Sequence, residues 1–263
     1  MSLENVYQES RLAGHPARIF EIADSTNTRL KAWAEDGAPD GAIALAREQT
    51  AGRGRFDRKW LSTPGMGAWF SLLVRPAPSS LPAACAADLV FVAALAAARA
   101  LNEHAGGSVR IKWPNDLVCE GRKIAGMLAE MRAEGSFLAW AVVGIGVNLL
   151  GSAPSPELPW AATLESACGT RISPDDAVSE IAAHFDRART LYQEAGLSAI
   201  LSEIRPLSAT LGREIQVHGQ TETFTGFARD LSDDGALIVD TPDRGQVLVH
   251  AGDVSVRGLM GYV

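Results

Sequence analysis

Gln49-Thr50-Ala51-Gly52-Arg53-Gly54-Arg55-Phe56-Asp57-Arg58-Lys59-Trp60 follows an apolar, strand-like run from Ala42 to Arg47. The stretch sets three arginines and a lysine against one aspartate, with two glycines among the charges. Glycine lets backbone N–H groups close on a ligand without a Cβ in the way. Donors and positive charge presented together are what a phosphate or carboxylate requires. Taken alone, such a cluster reads first as a solvated basic loop, so its meaning depends on its neighbours along the chain.

Upstream, Arg18-Ile19-Phe20-Glu21-Ile22 alternates as a strand does, and Leu30, Trp33 and Ala34 follow at helical spacing before Gly37. Between them stands Asp24-Ser25-Thr26-Asn27. These are preferred N-cap types, and spare hydroxyl and amide groups at a helix start also bind polar or anionic ligands. On these residues alone the cap reading outweighs the ligand reading. Downstream, Gly67 to Val74 is an apolar run suited to a central strand. Leu81 to His104 reads as a helix ended by Gly106-Gly107. Asp88 and Arg99 interrupt that helix, and a charge deep in a bilayer costs about 2.5–3.5 kcal/mol, so it is expected to be buried rather than membrane-spanning.

Val109-Arg110-Ile111-Lys112-Trp113 is a strand that Pro114 must stop or bend. Asn115 and Asp116 then fall in a turn at a strand end, where Pro-Asn-Asp is good turn chemistry. A carboxylate there is also a candidate for metal binding or proton transfer. Arg122 to Glu130 starts another strand, with Lys123 either a solvated flank or an anion ligand. Phe137 to Asn148 is an apolar strand that holds Gly144 and Gly146. Glycines weaken a strand and are explained where another segment or a ligand approaches closely. Gly144-x-Gly146 lacks the third glycine and the following helix of a dinucleotide fingerprint.

Residues 151–161 form a proline-rich loop. Ser173-Pro174-Asp175-Asp176 opens a helix with apolar positions from Val178 to Leu191, and a second short helix runs from Leu197 to Ile204. Beyond Leu211 the pattern changes to short alternating runs near Ile215, Phe224, Leu237 and Val247, separated by tight turns. They suggest a small β-barrel of about fifty residues. The expected organisation is α+β: a mixed β-sheet flanked by helices over residues 1–208, and a small SH3-like β-barrel over 209–263.

Bulk properties narrow the function. The chain has 263 residues, 47% hydrophobic and 21% charged, with a formal charge of −7. An acidic protein is not expected to coat nucleic acid, so the basic loop serves a local anion. Cys85, Cys119 and Cys168 form no Cys-x-x-Cys pair, and the histidines have no ligand spacing. A zinc site or disulfide framework is therefore not expected, and a reducing compartment is. Met1 to Pro16 has no secretory pattern. Together these favour a cytoplasmic protein without a membrane partner.

Four signals now share one chain in fixed order: Ser25-Thr26-Asn27; Gln49 with Gly52-Arg53-Gly54-Arg55 and Arg58-Lys59-Trp60; Lys112-Trp113-Pro114-Asn115-Asp116 with Lys123 and Gly126; and Gly144-Ile145-Gly146-Val147-Asn148. In this combination the sequence resembles the biotin protein ligases over nearly its whole length from about Ile19. The resemblance implies a two-step reaction with biotin, ATP and Mg²⁺, the metal held mainly through ATP phosphates. Biotinyl-AMP forms first, and biotin then passes to a lysine of a carboxylase's biotin carboxyl carrier domain. It implies that Arg53, Gly54 and Arg55 belong to a loop closing over the adenylate. Lys123 would contact the biotin carboxylate and phosphate. Ser25, Thr26, Asn27 and Gln49 would bond the ureido ring and other polar atoms, and Gly144, Gly146 and Asn148 would lie against the ligand. Gly52, Trp60, Lys112, Trp113, Asn115 and Gly126 complete the implied binding set, with Arg55, Lys123 and Asp116 catalytic. Asp116 would orient or deprotonate the incoming lysine, whose unperturbed pKa is about 10.4.

Asp57 stands where many family members carry a further glycine, and aspartate tolerates left-handed backbone better than most residues. Fewer than about twenty residues precede the first strand, so a DNA-binding repressor function is not expected. A homodimer through sheet-edge pairing is compatible with the sequence. Among competing readings, a lipoate–protein ligase would carry a different glycine-rich signature. A P-loop nucleotidase would need Gly-x-x-x-x-Gly-Lys-Ser/Thr. A non-enzymatic RNA-binding module leaves Lys-Trp-Pro-Asn-Asp unexplained.

Overall fold

A computed structural model describes residues 6–152, 154–219, 222–251, 255–258 and 262–263. Met1 to Asn5, part of the stretch read above for a leader, and the Asp57 side chain lie outside the described set.

The chain begins with a hairpin of β1 (Tyr7–Leu12) and β2 (His15–Ala23), joined through Ala13 and Gly14, both at positive φ. α1 (Thr26–Glu35) then carries the chain across to β3 (Ile43–Gln49), which runs parallel to β2. β4 (Gly67–Val74) follows, and then α2 (Asp88–Ala105). Next come β5 (Val109–Lys112), β6 (Asp116–Cys119), β7 (Arg122–Glu134) and β8 (Phe137–Asn148). These strands form one mixed sheet in the order β1-β2-β3-β4-β8-β7-β6-β5. α3 (Leu164–Cys168) and α4 (Pro174–Ile204) complete the first part, α4 being broken at Gly196 (φ 74°, ψ −176°). The break explains why the sequence reads as two helices there.

The pleat divides the sheet's side chains between two faces. On β8, Val143, Ile145 and Val147 join a core with α2 and α4, while Trp140 and Val142 pack toward α1. Gly144, Gly146 and Asn148 share that second face, beyond the end of α1. α2 is apolar enough by composition to cross a membrane, yet Leu89, Val92, Leu95 and Leu101 are fully buried in the first core.

β9 (Glu214–His218), β10 (Thr223–Leu231), β11 (Leu237–Thr241), β12 (Gly245–Val249) and β13 (Ser255–Gly258) form a second, antiparallel sheet in the order β12-β11-β10-β9-β13. Its inward residues Ile215, Val217, Ala228, Leu237 and Val239 belong to the same buried cluster as the main core. The two sheets are therefore fastened together by apolar contact.

Three local expectations are corrected. α2 starts at Asp88, because Ala83–Ala87 after Pro82 take a tighter 3₁₀ turn. Asp116 is not in the turn: it opens β6, a strand not anticipated, and pairs with Lys112 across a tight hairpin. β1 is a further strand that the sequence does not mark, since Gln8, Glu9, Ser10 and Arg11 give an edge strand no apolar alternation.

Candidate active site

Strand register builds the floor of the site. Lys112 on β5, Asp116 on β6, Gly126 on β7, Gly146 on β8 and Trp69 on β4 are successive cross-strand partners, one row across the sheet. Two adjacent glycines in that row leave a trough, and an indole lies in it. A Cβ on Gly146 would meet Trp60 Cε2 at 2.7 Å, and one on Gly126 would meet Trp60 Cζ3 at 3.1 Å. The close approach inferred for Gly146 is thus made by a segment of the chain itself. The cavity above measures about 550 Å³. Every residue singled out from the sequence lines it except Gly52. Gly52 stands behind the wall, where a Cβ would meet Trp60 O at 2.6 Å.

The arginine stretch is a small hairpin. Arg53 bridges to Lys59, Gly54 N–H donates to Arg58 O at 2.7 Å, and Trp60 N–H donates to Gly52 O at 2.9 Å. At its tip Phe56 takes the left-handed conformation (φ 57°, ψ 40°). Arg53 Nη2 reaches Glu130 Oε2 at 2.9 Å. Arg55 donates to Asn115 Oδ1 at 3.1 Å and to the carbonyl of Ala251, in the turn that follows β12 (Gly245–Val249) of the second sheet.

At one end of the cavity Ser25 occupies the N-cap position of α1, but its side chain makes no cap bond. The cap reading fails there, and the neighbouring polar groups are spent elsewhere. Gln49 Oε1 accepts from Thr26 N–H at 2.9 Å, and Ser71 Oγ donates to Asn27 Oδ1 at 2.6 Å. Asn27 Nδ2 donates to Glu130 Oε2 at 2.8 Å, and Lys31 pairs with Glu130 Oε1 at 2.6 Å. Burial disfavours ionised Glu130, but Lys31, Asn27 and Arg53 outweigh it and hold its carboxyl below the usual range. The result is a polar wall with fixed amide orientations.

At the other end the charges gather. Asp116, 9% exposed, pairs through Oδ1 with Lys123 Nζ at 2.6 Å, and its Oδ2 accepts from the Tyr262 hydroxyl. Burial opposes its ionisation most strongly. Lys123 and Lys112, with the bonds from Lys123 and Tyr262, together reverse that and lower its pKa. Lys112, 5% exposed, donates to Val256 O at 2.8 Å. Burial lowers its pKa to about 8, with Asp116 resisting and Lys123, Arg257 and Arg55 adding to the fall. Arg55 is also lowered, by burial first. Lys123 is fixed through its backbone: its N–H donates to Trp160 O at 2.7 Å, and its carbonyl accepts from Ala162 N–H at 2.8 Å. Asn148 Nδ2 donates to Ala162 O at 3.3 Å. Trp113 lies in the cavity wall and anchors the second sheet, its Nε1 donating to Gly235 O at 3.0 Å.

Several lining groups had no signal in the sequence. Pro154, Leu158 and Trp160 come from the proline-rich loop, and Val256, Arg257 and Tyr262 come from the second sheet and the residues beyond it. Ser71 and Glu130 support the site from behind; strand alternation could have placed both on the Gly144 face. Among the described residues no cluster of three or more His, Cys, Asp or Glu side chains could cage a metal.

Residues 19–148 match the Biotin/lipoate A/B protein ligase family, and residues 210–257 match the Biotin protein ligase C terminal domain. The chain is 36% identical over 241 residues to a biotin--[acetyl-CoA-carboxylase] ligase of Paracoccus denitrificans, covering 89% of this chain and 98% of that protein. It is 30% identical over 251 residues to the bifunctional ligase/repressor BirA of Bacillus subtilis, covering 94% of this chain and 76% of that one. The biotin protein ligase from Aquifex aeolicus, solved in complex with biotin and ATP, superposes with a TM-score of 0.79 at 28% identity, over 92% of this chain and 98% of that one. The chain belongs to the biotin protein ligase family.

Proposed function

We propose that the protein is a biotin–[acetyl-CoA-carboxylase] ligase that biotinylates a lysine of carboxylase carrier domains through biotinyl-5′-AMP. The observation that carries this reading is the convergence of Arg55, Lys112 and Lys123 with Asp116 on one cavity whose other end is the neutral polar wall of Thr26, Asn27 and Gln49. Such a cavity suits a ligand with a ureido ring at one end and an anionic acyl phosphate at the other.

In the first step a biotin carboxylate oxygen attacks the α-phosphorus of ATP. The new P–O bond forms as the bond to pyrophosphate breaks. Two anions must approach, so preorganised cations provide the main stabilisation. Lys123, Lys112 and Arg55 supply it here. Mg²⁺, when bound through the ATP phosphates, would withdraw charge from them and so assist these cations. In the second step the acceptor amine attacks the acyl carbon, an amide C–N bond forms, and AMP leaves.

Asp116 is assigned the orienting role. A carboxylate held below its ordinary range is too weak a base to take a proton efficiently from an ammonium of unperturbed pKa about 10.4. It can hold that ammonium over the acyl carbon. The surrounding cations favour the neutral amine, and its proton passes to water.

Residues 1–208 would form the catalytic unit and 209–263 an accessory unit that closes one wall. The enzyme would act in the cytoplasm without DNA or a bilayer. β1, which has β2 as its neighbour in the sheet, is the edge through which copies would pair. The test is incubation with biotin, MgATP and a carboxylase carrier domain, followed by streptavidin detection. A biotinylated carrier lysine is expected, and lipoate in place of biotin should give no product. A carrier left unmodified, or modified with lipoate instead, refutes the reading.

A further inference from the structure

Tyr262 lies beyond β13, outside every motif that marked the site, yet it lines the cavity. Its hydroxyl donates to Asp116 Oδ2, and Lys112 Nζ sits 3.9 Å from its ring centroid. The side chain thus spans Lys112 and Asp116, which are cross-strand partners in the β5–β6 hairpin. Each contact serves one part of the residue. The ring face takes the ammonium, a cation–π contact that fixes where the ring lies. The hydroxyl then reaches one carboxylate oxygen and leaves the other to Lys123.

We propose that Tyr262 is a positioning residue for the transfer step: by holding Asp116 Oδ2 it aims Oδ1 into the cavity, where the acceptor ammonium replaces Lys123 once Lys123 has turned to the adenylate. This inference rests on the ligase reading above. Biotin carboxylate and phosphate compete for Lys123, so adenylate formation frees Oδ1 at the moment the acceptor needs it. Oδ2 stays held throughout by a group that carries no charge and has no competing anion to bind. Burial and the neighbouring Asp116 carboxylate keep the Tyr262 hydroxyl protonated, with its pKa raised. The groups facing Asp116 are Lys123 on β7, Lys112 on β5, Arg55 in the loop and Tyr262; Arg257 and Arg58 act on Tyr262 in turn.

Tyr262→Phe separates the two contacts, because phenylalanine keeps the ring on Lys112 and loses the hydroxyl. Three measurements on the full chain test the proposal. In ¹³C-aspartate NMR titrations, with Asp116→Asn for assignment, the Asp116 carboxyl pKa should rise by about one unit in Tyr262→Phe. Transfer from preformed biotinyl-AMP should lose about tenfold in kcat, one charge-assisted hydrogen bond, with KM for the carrier unchanged. Pyrophosphate release in the first step should stay within about twofold of wild type. Tyr262→Ala should impair both steps, since Lys112 loses its support as well. An unshifted Asp116 titration overturns the assignment. So does a Tyr262→Phe enzyme whose transfer matches or exceeds the wild type, the latter marking Tyr262 as an obstruction to the acceptor. Failure of wild-type protein to make biotinyl-AMP would refute the ligase reading instead, and the carboxyl titration would still decide the contact.

Discussion

Gly144→Ala is the most informative single substitution in the polar wall. A Cβ built on Gly144 lies 2.3 Å from Asn27 Oδ1, 3.0 Å from Cγ and 3.2 Å from Nδ2. Ordinary contact to a carbon is about 3.5 Å, so the Asn27 amide must retreat by about 1 Å. It cannot do so cheaply, being 4% exposed and bonded on both sides, to Ser71 at 2.6 Å and to Glu130 at 2.8 Å. Losing the bond to the charged carboxylate costs about 1.5–3 kcal/mol and the Ser71 bond about 1 kcal/mol. Replacing glycine in extended backbone returns about 0.4–1 kcal/mol through the unfolded state. The expected net loss is about 2–3 kcal/mol. It should be read from urea unfolding midpoints in a double-mutant cycle with Asn27→Ala. Once the amide is gone the new methyl has room, so Gly144→Ala should cost nearly nothing in that background, a coupling of about 2 kcal/mol. Equal cost in both backgrounds would show that the clash with Asn27 is not what keeps residue 144 a glycine. Biotin affinity by calorimetry should fall in parallel, because the displaced amide belongs to the wall assigned to the ureido ring.

Lys123→Ala should slow pyrophosphate release from biotin and ATP; because it strips Asp116 of its ion-pair partner, stability should also fall, toward the lower end of about 3–5 kcal/mol since Tyr262 and Lys112 remain. Asp116→Asn should retain adenylate formation while losing transfer from preformed biotinyl-AMP, and normal transfer by this variant would remove Asp116 from the step. The depressed pKa of Lys112, about 8, means the folded chain binds that proton less tightly than the unfolded chain. Stability should therefore rise as pH increases from about 8 to about 10.4, and Lys112→Met should flatten that rise in urea titrations. The same titration should give kcat/KM of the first step an alkaline limb near pH 8, absent in Lys112→Arg, whose guanidinium stays charged.

Much of this protein was legible in one dimension. Strand alternation, the glycine after α2 and the pattern change past Leu211 mark elements by local chemistry, which needs no knowledge of the rest of the chain. Gly144 and Gly146 announce close approach, because a glycine in an apolar strand otherwise only weakens it. Folding decided what approaches: Trp60 from the arginine hairpin and Asn27 from α1. It also overturned the cap reading of Ser25, since cap and ligand positions use the same residue types and differ only in where the side chain points. Tyr262 lies 146 residues from the carboxylate it meets. A lone tyrosine carries no local signal, and its place depends on how the second sheet docks against the first. Composition and spacing can specify a strand or a charged loop, because those preferences act over a few residues. Which side chains share a cavity is set by sheet register and inter-sheet packing, forces that act only once distant segments have met.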